Sequence, residues 1–186
     1  MVHKVLSEYE ISAYIDGNVK VIGDINELID RYLSNKNFAC FDHSFNSKIP
    51  LTSLYEQKAF LMRPGQDKRN NETYENIQNQ YDAYVKEGYP DDSGMVWTMT
   101  LLRRHNEIDV IAQMESWWNE LLNRSKRDQM SFNYVSWKNS FKFNYIKLDG
   151  TNNNFIQRIS HHQSIFKIWK NRVIRLLKSF LILKHD

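Results

Sequence analysis

Three short constellations bring together side chains that can do chemistry. The first is Asp16-Gly17-Asn18. Two oxygen-bearing side chains stand two residues apart after the β-prone run Tyr14-Ile15, and such donors suit Mg²⁺ or Mn²⁺. An ion held there bridges a diphosphate and stabilises the charge on a departing nucleotide. Asp-Gly between two β-prone runs is equally a hairpin-turn signal, and the tripeptide alone leaves both readings open. The second is Arg103-Arg104-His105-Asn106. It closes a predicted strand, and ligands collect at strand ends in α/β sheets. Arg104 offers a bidentate fork to phosphate; His105 can ligate a metal or donate a hydrogen bond. The alternative is a solvated strand end before a helix capped by Asn106. The third is Trp117-Trp118, followed by Arg127-Asp128-Gln129. Neighbouring tryptophans on a helix face different ways, so one of them is open to stack on a sugar ring, although apolar spacing places Trp118 on the buried face with Ile108, Ile111, Met114 and Leu121 or Leu122. Asp128, held by Arg127 or Gln129, can take a proton from an acceptor hydroxyl. It can also be an N-terminal acid favoured by the helix dipole.

The elements that must position these groups alternate, which predicts an α/β fold. Residues 10–22 read as two short strands around the Asp-Gly-Asn tripeptide. Asp24 with Glu27, and Ser53 with Glu56, have capping-box spacing and open helices over 24–33 and 53–62. Residues 37–41 form a short buried strand and 71–87 a polar helix ended by Gly88. Residues 95–103 form a strand, 107–123 a helix by its apolar spacing, 127–137 another helix, and 141–148 a strand. A linker follows at 150–154.

Composition narrows the classes. The single cysteine, Cys40, forms no internal disulfide and no thiolate cluster; its apolar setting predicts a buried, inert thiol. Aromatics reach 13%, which suits either a sugar pocket or a core of large side chains. No run of 18 apolar residues predicts a membrane-spanning helix, and the start lacks the apolar stretch of a signal peptide. His161-His162 read as surface residues. Net charge is +3, yet after Asp128 only Asp149 and Asp186 are acidic. The last third is therefore basic.

The order of the motifs resembles known enzymes. Residues 14–28 are similar to the DxD region of GT-A glycosyltransferases, where a strand ends in an acidic triplet, a second short strand follows, and an Asp-Ile-x-Glu-Leu-like cap opens a helix. Asn18 stands where a second Asp is usual, one charge fewer for a metal. His43, Tyr55-Glu56, Tyr81, Gly88-Tyr89-Pro90, Arg104-His105-Asn106, Trp118 and Arg127-Asp128-Gln129-Met130-Ser131-Phe132 follow in an order similar to one family. That is the glycosyltransferase-like family of plant mucilage-type proteins and their bacterial relatives, over about residues 3 to 146. Asn46 departs from it, since an Arg is common there.

The resemblance implies a GT-A-like core over residues 1–150, acting in polysaccharide synthesis. It implies transfer of a sugar from a nucleotide-sugar donor to a glycan or lipid-linked acceptor, assisted by Mn²⁺ or Mg²⁺. Asp16, Asn18 and His105 are the expected metal residues; Arg104, His43, Glu56 and Trp118 the expected donor site; Asp128 and Gln129 the expected catalytic pair. Only 15 residues precede Asp16, so the N-terminal βαβ unit of GT-A enzymes is expected to be missing. A non-catalytic glycan- or partner-binding remnant is the alternative function. Residues 151–186 are expected to be a basic amphipathic helical tail. Its segment 160–186 either packs on the body or lies on an anionic membrane surface, with no nucleic-acid partner. The expected location is cytoplasmic, peripheral to the inner face of a membrane.

Overall fold

The computed structural model describes residues 1–65 and 72–159. Along the chain run α1 (Val2–Val5), β1 (Ser12–Ile15), β2 (Val19–Val21), α2 (Ile25–Tyr32), β3 (Phe38–Asp42) and a 3₁₀ turn (His43–Phe45). Then come α3 (Leu54–Leu61), α4 (Tyr74–Lys86), β4 (Val96–Arg103), α5 (Ile108–Asn123), α6 (Asp128–Lys138), β5 (Asn144–Ile146) and β6 (Ile156–Arg158). The α/β class is as expected. The predicted 160–186 helix lies outside the described residues.

The main sheet has the order β1-β4-β3-β5. β4 runs antiparallel to both β1 and β3, while β3 and β5 are parallel. All eight residues of β4 are buried, because the strand is central and covered on both faces. Alternate residues serve opposite faces. Phe38, Cys40, Val96 and Leu101 pack with α3–α6; Ala39, Phe41, Trp97, Met99 and Leu102 pack with α2, β5 and β6. Cys40 is buried, its thiol donating to the Trp97 carbonyl. The β3–β4 register slips between Cys40 and Phe41, so that Thr98, Met99 and Thr100 bulge from the ladder. Bulges re-aim side chains beside functional sites.

The expected caps form. Asp24 accepts from Asn26 N–H at 2.8 Å, Ser53 from Glu56 N–H at 3.2 Å, and Thr73 from Asn76 N–H at 3.1 Å. Gly88, at φ 84°, follows α4. One helix departs from amphipathic form: α6 is buried from Gln129 to Ser136. Its polar groups are bonded inside the protein. Asn133 accepts from Val96 N–H and donates to the Ser93 carbonyl and the Tyr145 hydroxyl.

Two expectations need correction. The runs flanking Asp16-Gly17-Asn18 are not a hairpin: β1 pairs with β4, and β2 pairs with β6. Gly17 is not among the described glycines at positive φ, the conformation a type I′ hairpin turn demands. The tripeptide is the corner where the chain leaves one sheet for another. The second concerns the tail. Residues 156–158 are β6, and Phe155 and Ile156 are core residues, so the folded body continues past residue 150.

At Gly23 an added Cβ would sit 2.2 Å from the Asn154 carbonyl oxygen, whereas at Gly17 it would meet nothing within 4 Å. Gly23→Ala should therefore cost about 1–3 kcal/mol by overpacking, lowering Tm by about 2–4 °C per kcal/mol. Gly17→Ala should leave Tm unchanged. Paired thermal melts check this, and an equal loss in both would contradict the corner geometry.

Candidate functional site

A cleft of about 500 Å³ opens where β1 and β3 end. Asp16, Asn18, His43, Asp128 and Gln129 all line it, so five of the residues singled out from sequence meet there. Asp16 follows β1; its N–H donates to the Met99 carbonyl at 2.8 Å, and its carboxylate accepts from the Tyr14 hydroxyl at 2.8 Å. Asp128 opens α6. Its carboxylate accepts from the Thr98 hydroxyl at 2.5 Å and from Gln129 N–H at 2.9 Å. The Asp128 carbonyl accepts from the Trp117 indole at 3.2 Å. Of the paired tryptophans, the buried one thus fixes the helix start. The Tyr14 hydroxyl is pushed up to about 12 by its bond to Asp16, by burial, and by the charges of Asp16 and Asp128. Both carboxylates therefore act on one phenol.

The opposite charges come from Arg127 and Arg158. Arg127 precedes α6, and its Nε is buried with no hydrogen-bond partner. Arg158, on β6, lies over the Trp97 ring at 5.4 Å. Among the described residues, none of Asp16, Asp128, Arg127 and Arg158 is in an ion pair. His43 sits in the 3₁₀ turn after β3, 5% exposed, with its ring 5.3 Å from Trp97. Its Nδ1 and the Gln57 Oε1 are buried and unpartnered. Three lining side chains therefore carry an unsatisfied buried atom. Native interiors hold few such groups.

The cleft leaves out four expected residues. β4 runs opposite to β1 and β3, so its C-terminal end points away from theirs. Five strand steps at about 3.4 Å each put Arg103 roughly 17 Å from Thr98, and His105 lies beyond the strand's end. There His105 Nε2 donates to the Leu6 carbonyl at 2.8 Å, Arg104 N–H donates to the Asn37 carbonyl, and Trp118 packs by α1. His105 thus cannot share an ion with Asp16. Glu56 caps its own helix, accepting from Thr52 N–H at 2.6 Å and from the Thr52 hydroxyl at 2.9 Å. Among the described residues no group of three or more His, Cys, Asp or Glu could hold a metal ion. The carboxylates that line the cleft are Asp16 and Asp128.

Sequence reasoning missed Thr98, Gln57 and Arg158. Nothing local marks Thr98, because its role comes from the bulge. Arg158 was read as tail. Asn46, at the position where an Arg is common, is buried at the cleft wall and accepts from Lys48 and Ile49 N–H, which shapes the loop.

Burial holds His43 below the ordinary 6.5 of an imidazole, partly offset by a backbone hydrogen bond and Asp42. The unfolded chain therefore binds more protons than the folded one just below pH 6.5, and stability falls as pH drops through that value. The carboxylates held low by hydrogen bonds, such as Glu56 and Glu87, lose their contribution only below about 4.5. Between pH 7.5 and 5.5, Tm of the wild type should fall more than that of His43→Gln. Parallel slopes would remove the desolvated His43 from this account.

The family model described as TOD1/MUCI70, glycosyltransferase-like domain, matches residues 1–169. No curated protein and no solved structure gives a match. The match takes in every residue of the cleft, Arg158 and β6 included. This chain belongs to the TOD1/MUCI70 glycosyltransferase-like domain family.

Proposed function

We propose that the cleft transfers a sugar from a nucleotide-diphosphate donor to a hydroxyl of a glycan or lipid-linked acceptor. The observation that carries this reading is one cleft holding two carboxylates and two guanidinium groups, none in an ion pair among the described residues. A protein that keeps such groups apart has left them for a ligand bearing both anionic and hydroxyl groups. Arg127 and Arg158 suit pyrophosphate oxygens through charge-assisted hydrogen bonds. Gln57 and His43 offer unpartnered polar atoms to sugar hydroxyls.

Asp128 takes the acid–base role. The acceptor O–H proton passes to its carboxylate as the oxygen bonds to the anomeric carbon. The carbon–phosphate oxygen bond breaks, and its electron pair leaves with the nucleoside diphosphate. Thr98 and Gln129 N–H hold that carboxylate in place. Asp16 and the Asn18 amide form a hard oxygen set that fits Mn²⁺ or Mg²⁺, ions that are held by one or two carboxylates plus substrate phosphates. Such an ion supplies charge neutralisation on the leaving diphosphate.

Release of nucleoside diphosphate from a panel of UDP-, GDP- and dTDP-sugars, with candidate glycans and Mn²⁺, tests the reading. Asp128→Asn should lower kcat by about 10²–10⁴-fold with donor binding retained. Arg158→Gln should raise donor KM and spare the fold. Full turnover by Asp128→Asn would remove the proposed base. Nucleotide binding without turnover for any donor and acceptor would favour the binding-remnant alternative.

A further inference from the structure

A second pocket of about 470 Å³ lies at the other end of β4, between α1 and α5. Its walls are apolar, with Val2, Val5, Leu6, Met114 and Trp118 around it. Two basic side chains, each more than nine-tenths buried, line it: Arg103 at 6% and His105 at 2% exposure. The Arg103 side chain makes one hydrogen bond among the described residues, Nε donating to the Ser12 hydroxyl at 3.1 Å, and no ion pair. Removing a charge from water without a counter-charge costs several kcal/mol. Burial accordingly lowers the Arg103 guanidinium below its ordinary value. The Leu6 carbonyl only accepts, so His105 must donate from Nε2, and its buried Nδ1 is left without a partner.

We infer that this pocket binds a small amphipathic anion, a carboxylate or monophosphate head on Arg103 and His105 with an alkyl or aryl body against Leu6, Met114 and Trp118. The head supplies the counter-charge Arg103 lacks. His105, held by its Nε2 bond to the Leu6 carbonyl, lines the pocket beside the head. The body covers apolar surface that is open at the rim, where Trp118 is 54% and Val5 73% exposed. The volume falls within the ordinary range for small-ligand sites. This site is separate from the cleft and does not rest on the transferase reading.

The test uses the full chain with octanoate and octyl phosphate below their micelle concentrations, read by calorimetry and by Tm. One of these anions should bind and raise Tm, and the tighter of the two identifies the head as carboxylate or phosphate. Inorganic phosphate, acetate and neutral octyl glucoside should bind at least tenfold more weakly. Arg103→Met should lose at least tenfold in affinity while melting no lower than the wild type without ligand, since an apolar replacement removes the lone buried charge. Trp118→Ala, a change at an exposed position, should weaken binding without unfolding. The cleft variant Arg127→Gln should bind as the wild type does. Equal binding by Arg103→Met, or equal binding of octyl glucoside or inorganic phosphate, would overturn the inference, as would loss of all binding in Arg127→Gln.

Discussion

The hydrogen bond from Thr98 to Asp128 joins the two halves of the molecule at the point where chemistry is possible. Thr98 belongs to a strand buried on both faces, and Asp128 opens a helix buried almost all round. Neither element can shift without opening the core. The bulge in β4 turns the Thr98 hydroxyl toward the start of α6, and the neighbouring Met99 carbonyl receives Asp16 N–H. One short stretch of strand therefore carries both carboxylates of the cleft.

The electrostatic design follows from what is left unpaired. Some surface charges pair with one another, as Arg31 does with Glu27 and Lys138 with Glu87. The charges of the cleft do not, and its walls add the unsatisfied His43, Gln57 and Arg127 atoms. Leaving buried polar atoms unpaired costs stability, about 1–3 kcal/mol each. The remainder of the fold offsets this through dense aromatic packing, such as Tyr84 of α4 stacked on Tyr134 of α6 at 3.6 Å.

Local features were legible in the sequence because local chemistry decides them. Asp24 and Ser53 announce their helices through the hydrogen bonds they make two and three residues on. Apolar runs located β3 and β4. The meeting of Asp16, His43 and Asp128 was legible only from motif order. Strand pairing was not legible. Asp-Gly-Asn between two β-prone runs favours a hairpin, yet β2 finds its partner in β6, more than 130 residues away. Strand direction was equally hidden. The cleft lies where β1 and β3 end, but β4 runs the other way and carries Arg104 and His105 to the opposite end. Those residues contact Leu6 and Asn37 there instead of lining the cleft. Arg158 was lost because a basic run reads as tail until a sheet claims its first residues.

A transferase that grips pyrophosphate with arginines needs fewer carboxylates around a metal, which accords with Asn18 standing where a second acid is usual. The most direct measurement is a crystal structure of the chain with Mn²⁺ and a nucleoside diphosphate bound. The account predicts pyrophosphate oxygens on Arg127 and Arg158, with Mn²⁺ on the Asp16 carboxylate and the Asp128 side facing an open acceptor space. A nucleotide seated away from Asp16, with the cleft between the two carboxylates left to solvent, would contradict it.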